Sequence, residues 1–68
     1  MKLSARNVLP GTITEIKLGA TTAHVKIDVV GAIITASITN ESVAELNLKV
    51  GGAVSAVIKS SDVMIGVG

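Results

Sequence analysis

The 68-residue sequence contains no cysteine, phenylalanine, tyrosine or tryptophan. Without cysteine, the chain has neither disulfides nor thiolate metal ligands, and one histidine is too few for a zinc site. Without aromatic rings, it lacks the platforms on which bases of single-stranded nucleic acid and aromatic cofactors usually stack. The chain must therefore fold and function through aliphatic packing and small polar side chains.

Charge is also scarce, and the two signs nearly balance. Six basic and five acidic side chains give a formal net charge of +1. They are scattered singly, so no basic stripe is available for a polyanion. No apolar stretch approaches the roughly 20 residues that a membrane-spanning helix needs. Residues 1–7 lack the apolar core of a secretory signal, and we therefore expect a cytoplasmic protein with neither a membrane nor a nucleic acid as partner.

Aliphatic residues are abundant for so short a chain. Hydrophobic residues make up 49% of the sequence and charged residues only 16%, whereas a typical domain has about 25% charged residues. A domain of this size buries only about 60% of the surface that its unfolded chain exposes. We therefore expect a single domain over residues 1–68 that exists as a homo-oligomer, with part of its aliphatic surplus at subunit contacts.

Five stretches carry strand patterns, either β-branched composition or alternation of apolar and polar residues. They cover residues 12–18, 21–30, 33–39, 54–59 and 63–67. Pro10 and Gly11, before the first of them, suggest a bulge or bend because proline cannot donate to a ladder. The segment 30–32 is short enough to be a hairpin connection, which predicts an antiparallel pair of strands.

One segment breaks the alternation. Asn40 offers a capping side chain, Glu41 places an acid in the first turn, and Val43 and Leu46 are spaced i, i+3. This pattern predicts a helix of about two turns that ends at residue 47 or 48. Three strands, a short helix and two strands are the order of the oligonucleotide/oligosaccharide-binding (OB) fold. The sequence therefore predicts an all-β, five-stranded OB-fold barrel with the helix between strands 3 and 4.

Candidate catalytic groups are isolated from one another. The acids stand apart along the chain, at Glu15, Asp28, Glu41, Glu45 and Asp62. His24 lies on the polar side of a strand and has no serine, cysteine or acid spaced to partner it. We therefore expect a protein that is not an enzyme.

Small polar residues and two cations gather at strand ends and turns. They are Ser4, Arg6, Asn7, Thr39, Ser42, Lys59, Ser60 and Ser61. Hydroxyls, N–H groups at the start of the short helix, one arginine and one lysine can surround an oxyanion and neutralise a dianion. Serine and threonine are equally common as turn and capping residues, so spacing alone leaves both interpretations open.

Three segments, in order, resemble the molbindins, the small Mop-type molybdate-binding proteins. They are residues 4–7 (SARN), residues 36–46 (ASITNESVAEL) and residues 57–64 (VIKSSDVM). The resemblance covers essentially the whole chain, and the same unit is similar to the TOBE-like molybdate-sensing domain of transcriptional regulators and transporter ATPases. It implies a homo-hexamer, a trimer of dimers, that stores molybdate or tungstate and carries no other cofactor.

In that family the oxyanion lies between subunits. The resemblance implies that one chain contributes Ser4, Arg6 and the peptide group at Ala5, while its neighbour contributes Thr39, Ser42, Lys59 and Ser60. Arg6 would supply a planar fork of donors and Lys59 a point charge, and the hydroxyls would donate without adding charge. A shell of this kind, of fixed radius, would exclude the smaller sulfate.

Two other functions stay open at this point. An OB-fold barrel can bind nucleic acid, which the missing aromatic residues and the missing basic excess disfavour. The chain could also be a regulatory or assembly module that senses the anion and acts on a partner in trans. The absence of a second domain within these 68 residues disfavours that alternative.

Overall fold

The structure, a computed structural model, describes residues 2–68 as one antiparallel sheet and one short helix. The elements are β1 (Asn7–Leu18), β2 (Thr22–Val29), β3 (Ala32–Thr39), α1 (Asn40–Glu45), β4 (Ala53–Ile58) and a closing 3-10 turn (Ser60–Asp62). The sheet has the strand order β3-β2-β1-β4. The predicted mostly-β architecture, with a helix between the third and fourth strands, is confirmed.

The β2–β3 hairpin follows the alternation in the sequence. Ala23, Val25 and Ile27 point inward and are buried, whereas the polar residues between them are exposed. A two-residue turn joins the strands, with φ of 51° at Val30 and 90° at Gly31. Positive φ at both positions is the geometry of a type I′ turn, whose twist matches that of the flanking strands.

Strand β1 is the longest, and it changes partners along its length. Its first half pairs with β4, from Asn7 to Thr12, and its second half pairs with β2, from Thr12 to Leu18. Pro10 lies where β1 has one partner only, a position at which an absent N–H need not break a ladder. The irregularity in strand pairing falls between Ile13 and Glu15, and not at Pro10 and Gly11, where a bulge or bend is predicted. Pro10 and Gly11 lie on the half of β1 that pairs only with β4, and the β1–β4 ladder continues through them.

The predicted capping residue is also displaced by one position. Thr39 is the N-cap of α1, with extended backbone at φ −73° and ψ 151°, and Asn40 is the first helical residue. The threonine belongs to β3 by its alternation, so the strand runs directly into the cap without a loop. Helix α1 is six residues long, and no helix of residues 2–68 is long and apolar enough to cross a membrane.

The core is small. Its fully enclosed side chains are aliphatic: Ile13, Ala23, Val25, Ile27 and Ala56. Beside them, an aliphatic groove of about 510 Å³ stays open between β3 and α1 on one side and β4 on the other. We call this the inner groove; its lining includes Ile34, Ile38, Leu48, Val54 and Ile58. Strands β3 and β4 are the two edges of the sheet and do not pair, so the sheet is open.

The fifth strand, predicted over residues 63–67, is not formed in this chain. The segment contains no strand, and Met64, Ile65 and Val67 are each more than 90% exposed. A strand needs a neighbouring backbone edge, and within the described residues this segment pairs with neither edge strand, β3 or β4. The described chain is therefore a four-stranded open sheet, and the predicted five-stranded barrel is not closed within it.

Candidate functional site

Two of the predicted site residues lie together where β3 runs into α1, and we call Thr39 and Ser42 the helix-start group. The Ser42 backbone N–H donates to Thr39 Oγ1 at 3.0 Å, which is the usual N-cap bond. The Thr39 hydroxyl donates in turn to Ser42 Oγ at 2.9 Å. Among residues 2–68, the Ser42 hydroxyl donates to no partner, so its proton is free for an incoming acceptor.

Neighbouring backbone holds this group in place. Asn40, between the two hydroxyl residues, donates its backbone N–H to Thr21 O at 2.9 Å. Its side-chain Nδ2 donates to Gly19 O, also at 2.9 Å. Both acceptors belong to the β1–β2 turn, so the start of α1 is attached to that turn at two points.

The remaining predicted residues lie at the other end of the sheet. Asn7 and Ile58 are the terminal pair of the β1–β4 ladder, and Asn7 Nδ2 also donates to Ile58 O at 3.1 Å. Arg6 directly precedes Asn7 and Lys59 directly follows Ile58, so both cations leave the ladder at one corner. Just beyond the ladder on the two strands lie Ser4, Ala5 and Ser60. We call these five residues the cationic corner: Ser4, Ala5, Arg6, Lys59 and Ser60.

The backbone after β4 turns sharply at this corner. Lys59 is the N-cap of the 3-10 turn, with extended backbone, and its carbonyl accepts the Asp62 N–H at 2.9 Å. The Ser60 carbonyl accepts the Val63 N–H at 3.3 Å. The turn thus fixes the direction in which the backbone of Lys59 and Ser60 leaves the sheet.

Within residues 2–68, Arg6 and Lys59 have no carboxylate within the 4 Å of an ion pair, and the nearest acid in sequence is Asp62 of the 3-10 turn. The ion pair found in residues 2–68 joins Lys26 and Glu15 at 3.3 Å, on the outer face of the sheet. Arg6 and Lys59 are both exposed and take part in no such pair. Exposed charges of one sign at a single corner favour an anion as ligand.

Within one chain, the two groups are far apart in the topology. The helix-start group lies at the end of edge strand β3, opposite the start of β2, whereas the cationic corner lies where the start of β1 meets the end of the other edge strand, β4. No hydrogen bond in residues 2–68 joins them. The resemblance implies that Lys59 and Ser60 contact the ion from the same subunit as Thr39 and Ser42. In the structure, Lys59 and Ser60 lie at the same corner as Arg6 of their own chain.

Sequence reasoning missed the anchoring role of two asparagines. The sequence pattern predicts that Asn40 is a cap and that Asn7 is one of the polar turn residues. In the structure, the side-chain amide of Asn7 joins the ends of β1 and β4, and that of Asn40 joins the start of α1 to the β1–β2 turn. A signal was available: an asparagine at the end of a strand can donate to a carbonyl that the ladder leaves unpaired. No cluster of three histidines or acids that could ligate a metal ion occurs in the described part of the chain.

Comparison with known proteins identifies the family of this chain. The family model described as the TOBE domain matches residues 3–65. Molybdenum-pterin-binding protein 1 of Clostridium pasteurianum is 47% identical over 66 residues, which cover 96% of this chain and 97% of that protein.

Two solved structures are similar along the whole fold. MopII from Clostridium pasteurianum superposes with a TM-score of 0.90 at 43% identity, covering 97% of this chain and all of that one. The molybdate-bound structure of ModG, described as a cytoplasmic molybdate-binding protein, gives a TM-score of 0.93 at 49% identity. This chain is covered completely in that comparison and spans 49% of the ModG chain.

Proposed function

The chain belongs to the TOBE domain family, and from this membership we propose that it binds molybdate between copies of itself. The observation that carries the proposal is the cationic corner, where Arg6 and Lys59 flank one ladder end and neither forms an ion pair within the described residues. A dianion placed there gains two charge-assisted partners, and charge-assisted hydrogen bonds are roughly twice as strong as neutral ones.

The separation of the two groups supports a site between subunits. We propose that an ion at the cationic corner of one copy contacts the Ser42 hydroxyl of another copy, whose helix-start group docks there. Such a site combines two cations with neutral donors, the Ser4, Thr39, Ser42 and Ser60 hydroxyls and the Ala5 peptide group. Docking of the second copy would also exclude water, which strengthens each electrostatic contact.

The open sheet supports a homo-oligomer independently of the ion. The inner groove is aliphatic and uncovered, while the alternating segment Val63–Val67 is exposed and has no strand partner in its own chain. The segment of one copy can pair with the free edges of another and cover its groove, which supplies the missing fifth strand. A hexamer built as a trimer of dimers is consistent with a domain this small and this apolar.

The chemistry of the donors limits the ligand and the role. Molybdate and tungstate are tetrahedral dianions of nearly the same size, so we propose that either is held, whereas sulfate, with shorter bonds, leaves some donors out of reach. Binding needs no proton transfer and no redox change. We therefore propose a non-enzymatic cytoplasmic protein that stores and buffers the oxyanion.

Native mass spectrometry with and without molybdate tests the proposal. We expect one dominant oligomer that gains the mass of bound oxyanion, and a similar gain with tungstate at equal concentration. Titration calorimetry should show sulfate binding much more weakly. A monomer at micromolar concentration would contradict the interfacial site, and an oligomer that binds sulfate as tightly as molybdate would show a general anion pocket.

A further inference from the structure

Asn40 has an unusual environment for an asparagine on a small domain. Its Nδ2 and its backbone N–H are both satisfied by the β1–β2 turn, at Gly19 O and Thr21 O. Its Oδ1 is shielded from solvent and has no hydrogen-bond partner within residues 2–68. The amide orientation follows from chemistry, because reversing the side chain would place Oδ1 against the Gly19 carbonyl oxygen.

An unpaired buried acceptor lowers stability, so this side chain is a poor choice for stability alone. A leucine, with the same branching and number of side-chain heavy atoms, would remove the unpaired oxygen. What the asparagine side chain does, and leucine cannot do, is add a second bond from the first residue of α1 to a turn two strands earlier in the sequence. That tie acts on the position between Thr39 and Ser42, whose hydroxyls form the helix-start group.

We propose that Asn40 is a positioning residue of the oxyanion site, holding the Thr39 and Ser42 hydroxyls in a fixed orientation by anchoring the start of α1 to the β1–β2 turn. The inference rests on the proposed function, since the ion is the molybdate proposed above. Helix α1 has only six residues and no buried side chain, so its own packing holds the first turn weakly. The two bonds of Asn40 supply that missing constraint at its first residue.

The test compares molybdate affinity and thermal stability in Asn40→Leu. We expect the variant to unfold near the parent temperature, because loss of the unpaired oxygen offsets loss of the bond to Gly19 O, while its molybdate affinity falls about fivefold, the value of one net hydrogen bond. Ala44→Leu is the matched control: it adds the same side chain at an exposed position of α1 without touching the anchor, and should bind like the parent.

A double-mutant cycle with Ser42→Ala separates positioning from a general structural effect. If Asn40 acts through the hydroxyls, Asn40→Leu should cost much less affinity when the Ser42 hydroxyl is already absent. Equal losses in both backgrounds would overturn the inference. Asn40→Ala, which places a good helix former at the same position, gives the same comparison if the leucine variant folds poorly.

Amide hydrogen exchange provides a readout that needs no ligand. We expect faster exchange at the Ser42 amide in Asn40→Ala than in the parent, because a looser helix start weakens the bond to Thr39 Oγ1. A parent protein that binds no molybdate would refute both the proposed function and this inference. A parent that binds it, with variants that bind equally well, would refute the inference alone.

Discussion

Removing the Ser42 hydroxyl separates anion binding from helix capping. In the structure, Thr39 caps α1 through the Ser42 backbone N–H at 3.0 Å, and Ser42→Ala keeps that bond. The variant loses only the exposed bond between the two hydroxyls and the free hydroxyl proton. We therefore expect a stability loss below about 1 kcal/mol, partly offset because alanine favours the helix by about 0.5 kcal/mol over serine.

The expected loss of molybdate affinity is larger. A hydrogen bond to a charged group contributes about 1.5 to 3 kcal/mol, which corresponds to roughly 10- to 150-fold in the dissociation constant. Titration calorimetry on the intact oligomer measures this change, and thermal unfolding at the same protein concentration measures stability. The companion variant Thr39→Val removes both the cap and a proposed donor, so it should lose about 1 kcal/mol of stability as well as affinity.

The hypothesis fails if Ser42→Ala binds molybdate within about threefold of the parent, since even one weak net hydrogen bond corresponds to a loss of that size. It also fails if the affinity lost by Ser42→Ala is no larger than its loss of stability, because the hydroxyl would then act only through the helix. A shift in oligomer size, followed by sedimentation, identifies a variant whose site is lost with its interface.

Three further substitutions test other parts of the molecule. Lys59→Ala should weaken molybdate binding by more than tenfold, because losing one partner of a desolvated charge pair costs about 2 to 5 kcal/mol; Lys49→Ala, on an exposed turn, should bind normally by calorimetry. Gly11→Ala should leave the protein largely unfolded in circular dichroism, because the new Cβ would lie 2.5 Å from Asp28 O and 2.8 Å from Ile27 Cγ2. The free-energy cost of this clash should exceed the usual overpacking cost of about 1 to 3 kcal/mol. Val30→Asn should raise the unfolding temperature, because asparagine tolerates the positive φ at this turn better than a β-branched residue, and an unchanged or lower temperature would contradict this account.

The local pattern determined most of the strands because each one is covered on a single face. Alternation over residues 21–30 and 33–39 fits the hairpin to within one residue at each boundary, with a turn at Val30–Gly31. Capping was less well determined. Thr39 satisfies the alternation of β3 and also caps α1, so a pattern based on either property alone assigns it to one element only.

The polar residues of the candidate site were also identifiable from the sequence, but their grouping was not. Chemistry at strand ends indicates hydroxyls and cations as anion ligands, and the resemblance to molbindins names six of them together with the peptide group at Ala5. Which of them share a corner depends on strand pairing: Arg6 and Lys59, more than fifty positions apart, leave the same ladder end because Asn7 pairs with Ile58. No local property of either residue contains that information.

By itself, the sequence determined the sheet-rich fold and the candidate donors, since these follow from short-range periodicity and residue chemistry, and its aliphatic surplus predicts subunit contacts. Only the tertiary structure decided that the candidate donors form two groups at different ends of the sheet, that Asn40 anchors the helix start, and that residues 63–67 pair with no strand of the described chain. Alternation predicts that a segment can be a strand, but a strand forms only where another backbone edge satisfies its hydrogen bonds. The last segment pairs with no edge of the described sheet, and periodicity along one sequence cannot show that.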